Sequence, residues 1–565
     1  MRESSRSSPW SWFVAILFLV SLSLPAFGVE LDVAVGIGGH VVRWSYAPVR
    51  VRIEGLTQPI DGRIRLVQLI GNPAENPARV DGFIYVGPLS DRTYEATVPI
   101  YDPLNPVRID VEDGEGRVIA SSKLDLRLKR RMGAFPAVCG VSISPADDAV
   151  FVDHSELPAD WWGYDPVRTL WIGGAGATED EWTTIGEWVT AGGSLVLFTG
   201  SDFYRFDTPA VRELIPIGSR RLETAPDGTE YLTGDAKEGG RIALLRDGIP
   251  LLHVRRYGAG TVALVTVRAE EVSDEELAGI VARVPSARAL YAAPLAEEIL
   301  REMRVDRPNY LTSVFLVVLV SAAFVTFARL QERNPRLATG FILTGIVILT
   351  VSSGLYINRT KHPASVYSVN LELSVETSFG IKSVWQALYA ARPGRVALEQ
   401  DEGSFPIESG ILSLAEASFD AESEPCETRI ELLSQERRNL AYYGRSSSSI
   451  AFAVDGGSVT ITNLSGEPID SGLLAIDRLA YPIGPLPPGT ETIELEGGRD
   501  LGVYGSGNLP LDLAVRRFEG ILGLGSGTWL IALQEEERIE DQGGSAKKVR
   551  DVRIRFIAGG DDGEG

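Results

Sequence analysis

Cysteine and histidine are scarce in this chain. Its 565 residues include two cysteines and four histidines, widely separated and without the spacing that metal ligands show. We therefore expect no bound metal, no cofactor and no disulfide framework. Cys139 and Cys426 could pair in an oxidising compartment, but we expect two unpaired, buried thiols instead.

Positive charge is also in short supply. The chain has 54 lysines and arginines against 76 aspartates and glutamates, which gives a net charge of −22. A protein that binds nucleic acid needs a basic stripe, so no nucleic-acid partner is expected. The acidic surplus suits a well-hydrated surface, and the length leaves room for three or four domains.

Long apolar runs are limited to two places. Residues 310–328 and 337–357 contain no charged side chain and lie eight residues apart. Each run is long enough to cross the hydrocarbon core of a bilayer. The short connection allows only a tight hairpin, so residues 308–357 are predicted to be a transmembrane hairpin. A membrane, crossed by two spans, is therefore an expected partner.

The first 28 residues have the pattern of a signal peptide. Arg2 and Arg6 precede an apolar run over residues 10–24, and small residues precede a cleavage point after Gly28. The alternative is an uncleaved anchor. In both cases residues 29–309 and 358–565 are predicted on the exported side of the inner membrane.

Residues 29–132 alternate between apolar and polar side chains. The alternation is clearest over residues 49–53, 63–67 and 107–111, and glycine-rich or proline-containing turns separate these runs. A period of two indicates strands with one buried face. We predict a β-sandwich of about seven strands here.

Residues 133–300 have a different pattern. Apolar strands are predicted near residues 136–143, 167–172 and 194–198, with a helix over residues 178–191. Thr178 is placed as the N-cap of this helix, and Gly192 ends it. Strand, helix and strand in this order predict a Rossmann-like α/β domain whose strands end at Gly173 and Thr199.

This region resembles the class I glutamine-amidotransferase-like domains, in the degenerate form found in bacterial membrane-anchored proteins. The resemblance rests on Tyr164-Asp165 before a strand, the glycine-rich loop and helix that follow, residues 188–196, and residues 257–260. It implies a nucleophilic cysteine on a sharp elbow after residues 195–198. Gly200 is at that elbow, and no cysteine occurs between Cys139 and Cys426. The resemblance therefore implies a domain without the amidotransferase reaction.

The best remaining catalytic candidates follow this elbow. Ser201 and Asp202 lie just beyond the strand, at the sheet edge where such folds bind ligands. A serine needs an adjacent base, and His253 could serve, with Asp153 or Asp202 as the third group. The alternative, which we favour, is that Ser201 and Asp202 cap a turn and that His253 is half-buried in a strand.

Two further motifs are candidates for ligand binding. Trp161, Trp162 and Tyr164 form an aromatic cluster that could stack on a sugar or a partner's side chain, or could pack under the sheet. Gly173 and Gly174 begin a glycine-rich loop that could cradle a phosphate, or could simply be a tight turn. Together with Gly200, these residues make the predicted binding surface.

Residues 364–551 are predicted to be an exported, mostly-β domain. A hairpin is expected between residues 450–454 and 458–462, and residues 552–565 read as a final strand and an acidic tail. The predicted fold class is therefore a multidomain membrane protein. It consists of a β-sandwich, a Rossmann-like α/β domain, a two-helix transmembrane hairpin and a C-terminal mostly-β domain.

The expected function is binding or scaffolding without catalysis. We expect a membrane-anchored envelope protein that presents its exported domains to a protein partner or an envelope ligand. One alternative is a serine-type hydrolase that uses Ser201 and His253. The other is an accessory subunit of a membrane transporter.

Overall fold

The computed structural model describes residues 29–303 and 366–559 with short internal gaps, and a few positions between them (318, 322, 325–327 and 329). The gaps are residues 44, 71–77, 101, 174–175, 206, 238, 286–292, 392–393, 401–406, 409–416, 421–425, 433–436, 447–448, 456, 477, 520–521, 523, 525–527 and 543–544. The predicted signal peptide over residues 1–28 and most of the predicted acidic tail lie outside the described residues.

The predicted membrane fold class is wrong for the structure that is described. Strands make up 51% of the described structure, so the part of the chain that is described is mostly β. Within the described ranges no helix is long and apolar enough to cross a membrane, and no two-helix hairpin is seen. The longest described helix has 12 residues, which is about 18 Å, against a hydrocarbon core of about 30 Å.

Two further predictions depended on those spans and are corrected with them. They are the membrane as a partner, and the placement at the inner membrane with both large domains exported. Nearly all of residues 310–357 lie outside the described residues. Apolar length in the sequence was the whole basis of that prediction, and no helix of the described chain supplies it.

The first block consists of strands arranged in two sheets over one core. β1, β3 and β6 form an antiparallel sheet, while β4, β5, β7 and β8 belong to a larger one. Val49, Val51 and Ile53 alternate inward from β3 and pack with Ile109 of the larger sheet. The strands are β1 (Glu30–Val35), β2 (Val41–Val42), β3 (Ser45–Glu54), β4 (Ile60–Ile70), β5 (Ala78–Leu89), β6 (Thr93–Ile100), β7 (Val107–Asp113), β8 (Val118–Leu124) and β9 (Arg130–Arg131).

The second block is an α/β layer structure around a seven-stranded sheet of order β11-β10-β12-β13-β18-β17-β16. The first five of these strands are parallel, and β17 and β16 are antiparallel additions. The strands are β10 (Phe135–Cys139), β11 (Val150–Val152), β12 (Val167–Gly173), β13 (Ser194–Phe198), β14 (Arg221–Thr224), β15 (Glu230–Thr233), β16 (Gly240–Arg246), β17 (Ile249–Tyr257) and β18 (Gly260–Val265). The helices are α1 (Glu179–Thr190), α2 (Pro209–Leu214), α3 (Asp274–Val281) and α4 (Ala293–Glu302).

Helix α1 begins and ends where local chemistry requires. Thr178 caps it, because its side-chain oxygen accepts a hydrogen bond from the Glu181 N–H at 3.3 Å. At the other end Gly192 adopts a φ of 119°, which lets the Gly192 N–H donate to Val189 O at 2.9 Å. Trp182, Ile185, Trp188 and Val189 form the buried face. The chain therefore turns sharply from α1 into β13.

The third block is a nine-stranded sheet of order β22-β25-β20-β19-β33-β32-β28-β29-β31, with a small sheet of β26, β27 and β30. Helix α4 packs against β19 and β20, and α5 (Leu509–Phe518) lies on the same core. The strands are β19 (Val366–Glu376), β20 (Gly380–Ala390), β21 (Gly394–Gln400), β22 (Ile407–Glu408), β23 (Ala417–Asp420), β24 (Cys426–Leu432), β25 (Arg437–Arg445), β26 (Ile450–Asp455), β27 (Ser458–Asn463), β28 (Ser471–Ile476), β29 (Leu479–Ile483), β30 (Gly489–Glu494), β31 (Arg499–Asp500), β32 (Thr528–Gln542) and β33 (Ser545–Ala558).

The blocks are tied together. β21, β24 and β23 extend the larger sheet of the first block, with β23 pairing parallel to β5. One hydrophobic core runs from Ile185 of α1 to Leu371 of β19 and includes Tyr46 of β3. Side chains from all three blocks therefore meet at one junction.

Candidate functional site

A cavity of about 310 Å³ lies where the α/β block meets the nine-stranded sheet. Most of its wall is aromatic or aliphatic, with a few polar groups. The lining residues are Ala134, Trp161, Trp162, Asp165, Val167, Arg168, Trp188, Ala191, Gly192, Gly193, Ile381, Ser383 and Tyr443. We refer to this space as the junction cavity.

Four segments bring these side chains together. A 3-10 turn over Trp161–Tyr164 leads into β12, and the end of α1 leads into β13. On the opposite wall, β20 contributes Ile381 and Ser383, and β25 contributes Tyr443. Because β12 and β13 begin here, the junction cavity lies at the amino end of the parallel sheet.

The aromatic rings of the cavity are packed on one another. Trp161 lies 5.8 Å from Trp162 between ring centroids, at an interplanar angle of 83°, and 5.2 Å from Tyr443 at 58°. The Trp161 indole N–H donates to Gly444 O at 3.1 Å. Trp161 and Trp162 are each 7% exposed, so the rings hold the two blocks together and also form a wall.

Glycine allows one of these rings to lie close to the backbone. A Cβ at Gly193 would stand 2.3 Å from Cδ2 of the Trp188 indole. No other residue fits beneath that ring without a shift. Tyr164 is fully buried behind the cavity, with its ring 5.3 Å from that of Trp188.

Asp165 is the acid on the cavity wall. Its Oδ2 accepts a hydrogen bond from the Tyr46 N–H at 3.2 Å, which links the first block to the site. Burial raises the pKa of Asp165 to about 6, although the Tyr46 N–H acts in the opposite direction. The side chain keeps partial exposure.

Two more acids lie beside the cavity. Burial raises the pKa of Asp160 and of Glu187. Glu187 Oε1 pairs with Arg445 Nε at 2.8 Å across the junction. Arg168, on the cavity wall, has its guanidinium 3.5 Å from Asp148. The junction therefore holds one buried acid, Glu187, which has an arginine partner, and two partly buried acids, Asp160 and Asp165.

The predicted binding surface is split between two ends of the sheet. Trp161 and Trp162 line the junction cavity, while Gly173 and Gly200 lie at the carboxyl ends of β12 and β13. β12 has seven residues, so the two groups stand about 20 Å apart along the strand direction. Gly174 lies outside the described residues.

Three glycines at the carboxyl end of the sheet are in close contact with neighbouring atoms. A Cβ at Gly173 would stand 2.4 Å from Val141 Cγ1, and one at Gly176 would stand 2.4 Å from the His154 ring. Gly200 has a φ of 57°, and a Cβ there would lie 2.9 Å from the Arg268 backbone nitrogen. The elbow position therefore has no room for a nucleophilic side chain.

The candidate catalytic residues are not brought together. Ser201 and Asp202 are half-buried in a 3-10 turn over Gly200–Arg205, where Asp202 Oδ1 lies 3.6 Å from Arg205. His253 is buried in β17, opposite Leu264, and within the described chain neither ring nitrogen has a hydrogen-bond partner. Burial lowers the pKa of His253. Asp153, the other proposed third group, caps the turn that begins at His154.

Cys139 is a free, buried thiol at the end of β10. Burial raises its pKa to about 12, which leaves it protonated and unreactive at neutral pH. In the part of the chain that the structure describes, no group of three His, Cys, Asp or Glu side chains is placed to hold a metal ion.

Sequence reasoning missed most of the cavity wall, since only Trp161 and Trp162 of its 13 lining residues were among the predicted binding residues. Asp165 stood next to the aromatic cluster and was not considered as a ligand group. Trp188 was assigned only to the buried face of a helix. Ser383 and Tyr443 carried no local signal, because their role depends on residues of the opposite wall that lie at least 190 positions earlier in the chain.

Comparisons with known proteins add little. No protein-family model matches the chain, and no curated protein matches it. Among solved structures, it is similar to a cytoplasmic protein from Salmonella typhimurium LT2, at 12% identity and a TM-score of 0.23, over 27% of this chain and 99% of that one.

It is also similar to the exo-beta-1,4-mannosidase Op5Man5 from Opitutaceae bacterium strain TAV5, at 16% identity and a TM-score of 0.18, over 30% of this chain and 38% of that one. A glucanotransferase from Paenibacillus sp. matches at 8% identity and a TM-score of 0.16, over 74% of this chain and 70% of that one. These TM-scores are too low to support an argument about fold or function. The resemblance to amidotransferases gains no support from them and stays a prediction.

Proposed function

We propose that this protein binds a small molecule in the junction cavity and is not an enzyme. The observation that carries the proposal is the cavity itself, which has four aromatic rings and one partly buried carboxylate around a volume of about 310 Å³. Small-molecule sites are usually concave, mostly apolar and aromatic, and frequent between domains, with volumes upward of about 300 Å³.

Two features of the carboxyl end of the sheet support a role without catalysis. The elbow residue Gly200 has no side chain and no space for one. His253 is buried, and in the described chain it makes no hydrogen bond that would orient it as a base. A serine that lacks a positioned base is a weak nucleophile.

The test is a thermal-shift screen of a metabolite library against the wild type and two variants at Ser383. Ser383→Leu fills the cavity, whereas Ser383→Ala keeps it open and removes only the hydroxyl group. A ligand at 100 times its Kd should stabilise the wild type by about 2.7 kcal/mol. We expect the same stabilisation in Ser383→Ala and its loss in Ser383→Leu.

Two results would contradict this proposal. The first is a screen in which every stabilising compound acts equally on Ser383→Leu, provided that circular dichroism shows this variant folded. The second is turnover of an ester or amide panel that Ser201→Ala abolishes, which would favour the hydrolase instead.

A further inference from the structure

The charge of Asp165 is unbalanced. Within the described residues, the Asp165 carboxylate accepts one hydrogen bond, from the Tyr46 backbone N–H, and forms no ion pair. Burying a carboxylate without a cation costs free energy. Because Asp165 lies on the wall of the junction cavity, a cation bound there would supply the missing partner.

The rings around Asp165 suit a cation as well. Trp161 and Trp162 meet nearly at a right angle, 83°, and Tyr443 stands at 58° to Trp161. Walls that are inclined to one another present ring faces and edges from several directions. The face of an aromatic ring carries negative charge density and attracts a cation within about 6 Å of its centre.

We propose that the junction cavity binds an organic cation of the alkylated ammonium class, with its charged nitrogen between Asp165 and the faces of the tryptophan rings. This inference rests on the proposed function, which makes the cavity a ligand site. It adds the chemical class of the ligand.

The basic groups near the cavity do not take the place of such a cation. Arg168 is turned toward Asp148, and Arg445 pairs with Glu187. Asp160 lies beside Trp161 as a further acid. Asp148 and Glu187 therefore have arginine partners, Arg445 also acts on Asp160, and in the described chain Asp165 has no such partner.

Alkylation of the nitrogen decides which cations fit. A primary ammonium is a compact, strongly hydrated charge, and it loses that hydration when it enters an apolar cavity. Alkyl groups on the nitrogen weaken the hydration and add apolar surface that packs on the rings. Aromatic cages recognise quaternary ammonium groups by this combination.

The experiment compares choline with 3,3-dimethyl-1-butanol, a neutral molecule of the same shape. Calorimetric titration of the full chain at pH 7.5, where Asp165 is ionised, gives both dissociation constants. We expect choline to bind about tenfold or more tighter than the alcohol, which corresponds to the usual strength of a desolvated cation–π contact.

Two variants isolate the charge and the rings. Asp165→Asn keeps an oxygen for the Tyr46 N–H and should weaken choline binding about tenfold while changing the alcohol little. Trp162→Leu keeps apolar bulk without a ring face and should reduce the preference for choline in the same way. Asp455→Asn, which removes one charge from an exposed hairpin, is the control and should change neither constant.

Each outcome decides the matter. Equal binding of choline and the alcohol would overturn the cation inference and leave the proposed binding function standing. The same conclusion follows if choline does not bind but library compounds stabilise the wild type and fail to stabilise Ser383→Leu. If no compound of any kind depends on the cavity, both proposals fail. A choline preference that survives both Asp165→Asn and Trp162→Leu would also overturn the assignment.

Discussion

The two ends of the parallel sheet differ in how glycine is used. At the carboxyl end, Gly173, Gly176 and Gly200 let other atoms approach so closely that an added Cβ would clash with them. At the amino end, Gly193 lets the Trp188 ring lie against the backbone, and an open cavity remains beside it. The same residue type closes one end of the sheet and shapes a pocket at the other.

This difference shows what sets the place of a site. Doubly wound sheets bind ligands outside the carboxyl ends of their strands, which is where sequence reasoning placed Ser201 and Asp202. In this chain the junction cavity lies at the other end of the sheet, where the amino ends of the strands face β20 and β25 of another block. Partners of the sheet, and not its strand direction alone, decide where space remains.

The largest expected effect contrasts Trp161 with Ser201. Trp161→Ala removes a buried ring that packs on Trp162 and Tyr443, together with its hydrogen bond to Gly444 O. We expect a loss of about 3–5 kcal/mol in the free energy of unfolding, measured by urea denaturation. Ser201→Ala, at the other end of the sheet, should change it by less than about 0.5 kcal/mol.

Trp161→Phe is the matched control, because it keeps a ring and loses the indole N–H. Its loss should be clearly smaller than that of Trp161→Ala. If both Trp161 variants unfold like the wild type, the junction contributes little and the contrast between the two ends disappears.

The second effect is on pH dependence at the amino end. The folded pKa of Asp165 is raised from 3.8 to about 6, so the folded state holds the proton more tightly than the unfolded chain does. The contribution of the protonated Asp165 side chain to the free energy of unfolding is fully present below about pH 4 and is lost as the pH rises through 6. Asp165→Asn should therefore be more stable than the wild type by about 2 kcal/mol at pH 7.

Denaturation at pH 4, 5, 6 and 7 checks this expectation. The difference between variant and wild type should shrink as the pH falls, and should be small at pH 4. The prediction is wrong if the difference in the free energy of unfolding between the wild type and Asp165→Asn stays constant across this range. Folding would then leave the pKa of Asp165 unchanged.

The sequence predicted the α/β block closely at the level of single elements. The Thr178 cap, the buried face of α1 and the stop at Gly192 all follow from local chemistry, because each involves residues within a few positions of one another. In the N-terminal block, the end of β3 follows the alternation that predicted it, whereas in β7 the polar residues Asp110 and Glu112 are buried as well.

The predictions that failed or fell short depended on distant parts of the chain. Tyr443 reaches Trp161 across 281 intervening residues, and no periodicity records that contact. The membrane prediction used apolar length alone, without any test of what packs against those residues. For His253 the sequence favoured a half-buried strand position over a catalytic base, and its full burial in β17 depends on both neighbouring strands.

The third effect concerns the elbow at the carboxyl end. Gly200→Ala forces a side chain into the left-handed region and against the Arg268 backbone nitrogen, 2.9 Å away. Gly228→Ala carries the same kind of backbone strain at a φ of 89° but meets nothing within 4 Å. We expect Gly200→Ala to cost about 1 kcal/mol more than Gly228→Ala in thermal unfolding. Equal costs would mean that the elbow is open and could hold a nucleophile after all.

The smallest effect should come from His253→Leu, which, like Asp165→Asn, should stabilise the folded state. His253→Leu removes two buried ring nitrogens that have no partner in the described chain, so the folded state should gain up to about 1 kcal/mol at pH 7. Burial lowers the folded pKa of His253 below 6.5, so the wild type loses stability as the pH falls through that value, because the unfolded chain takes up the proton. The advantage of His253→Leu should therefore widen between pH 7 and pH 5, as measured by urea denaturation. If the variant is less stable than the wild type at both pH values, the imidazole makes a stabilising contact. A functional role for His253 at the carboxyl end of the sheet would then have to be considered again.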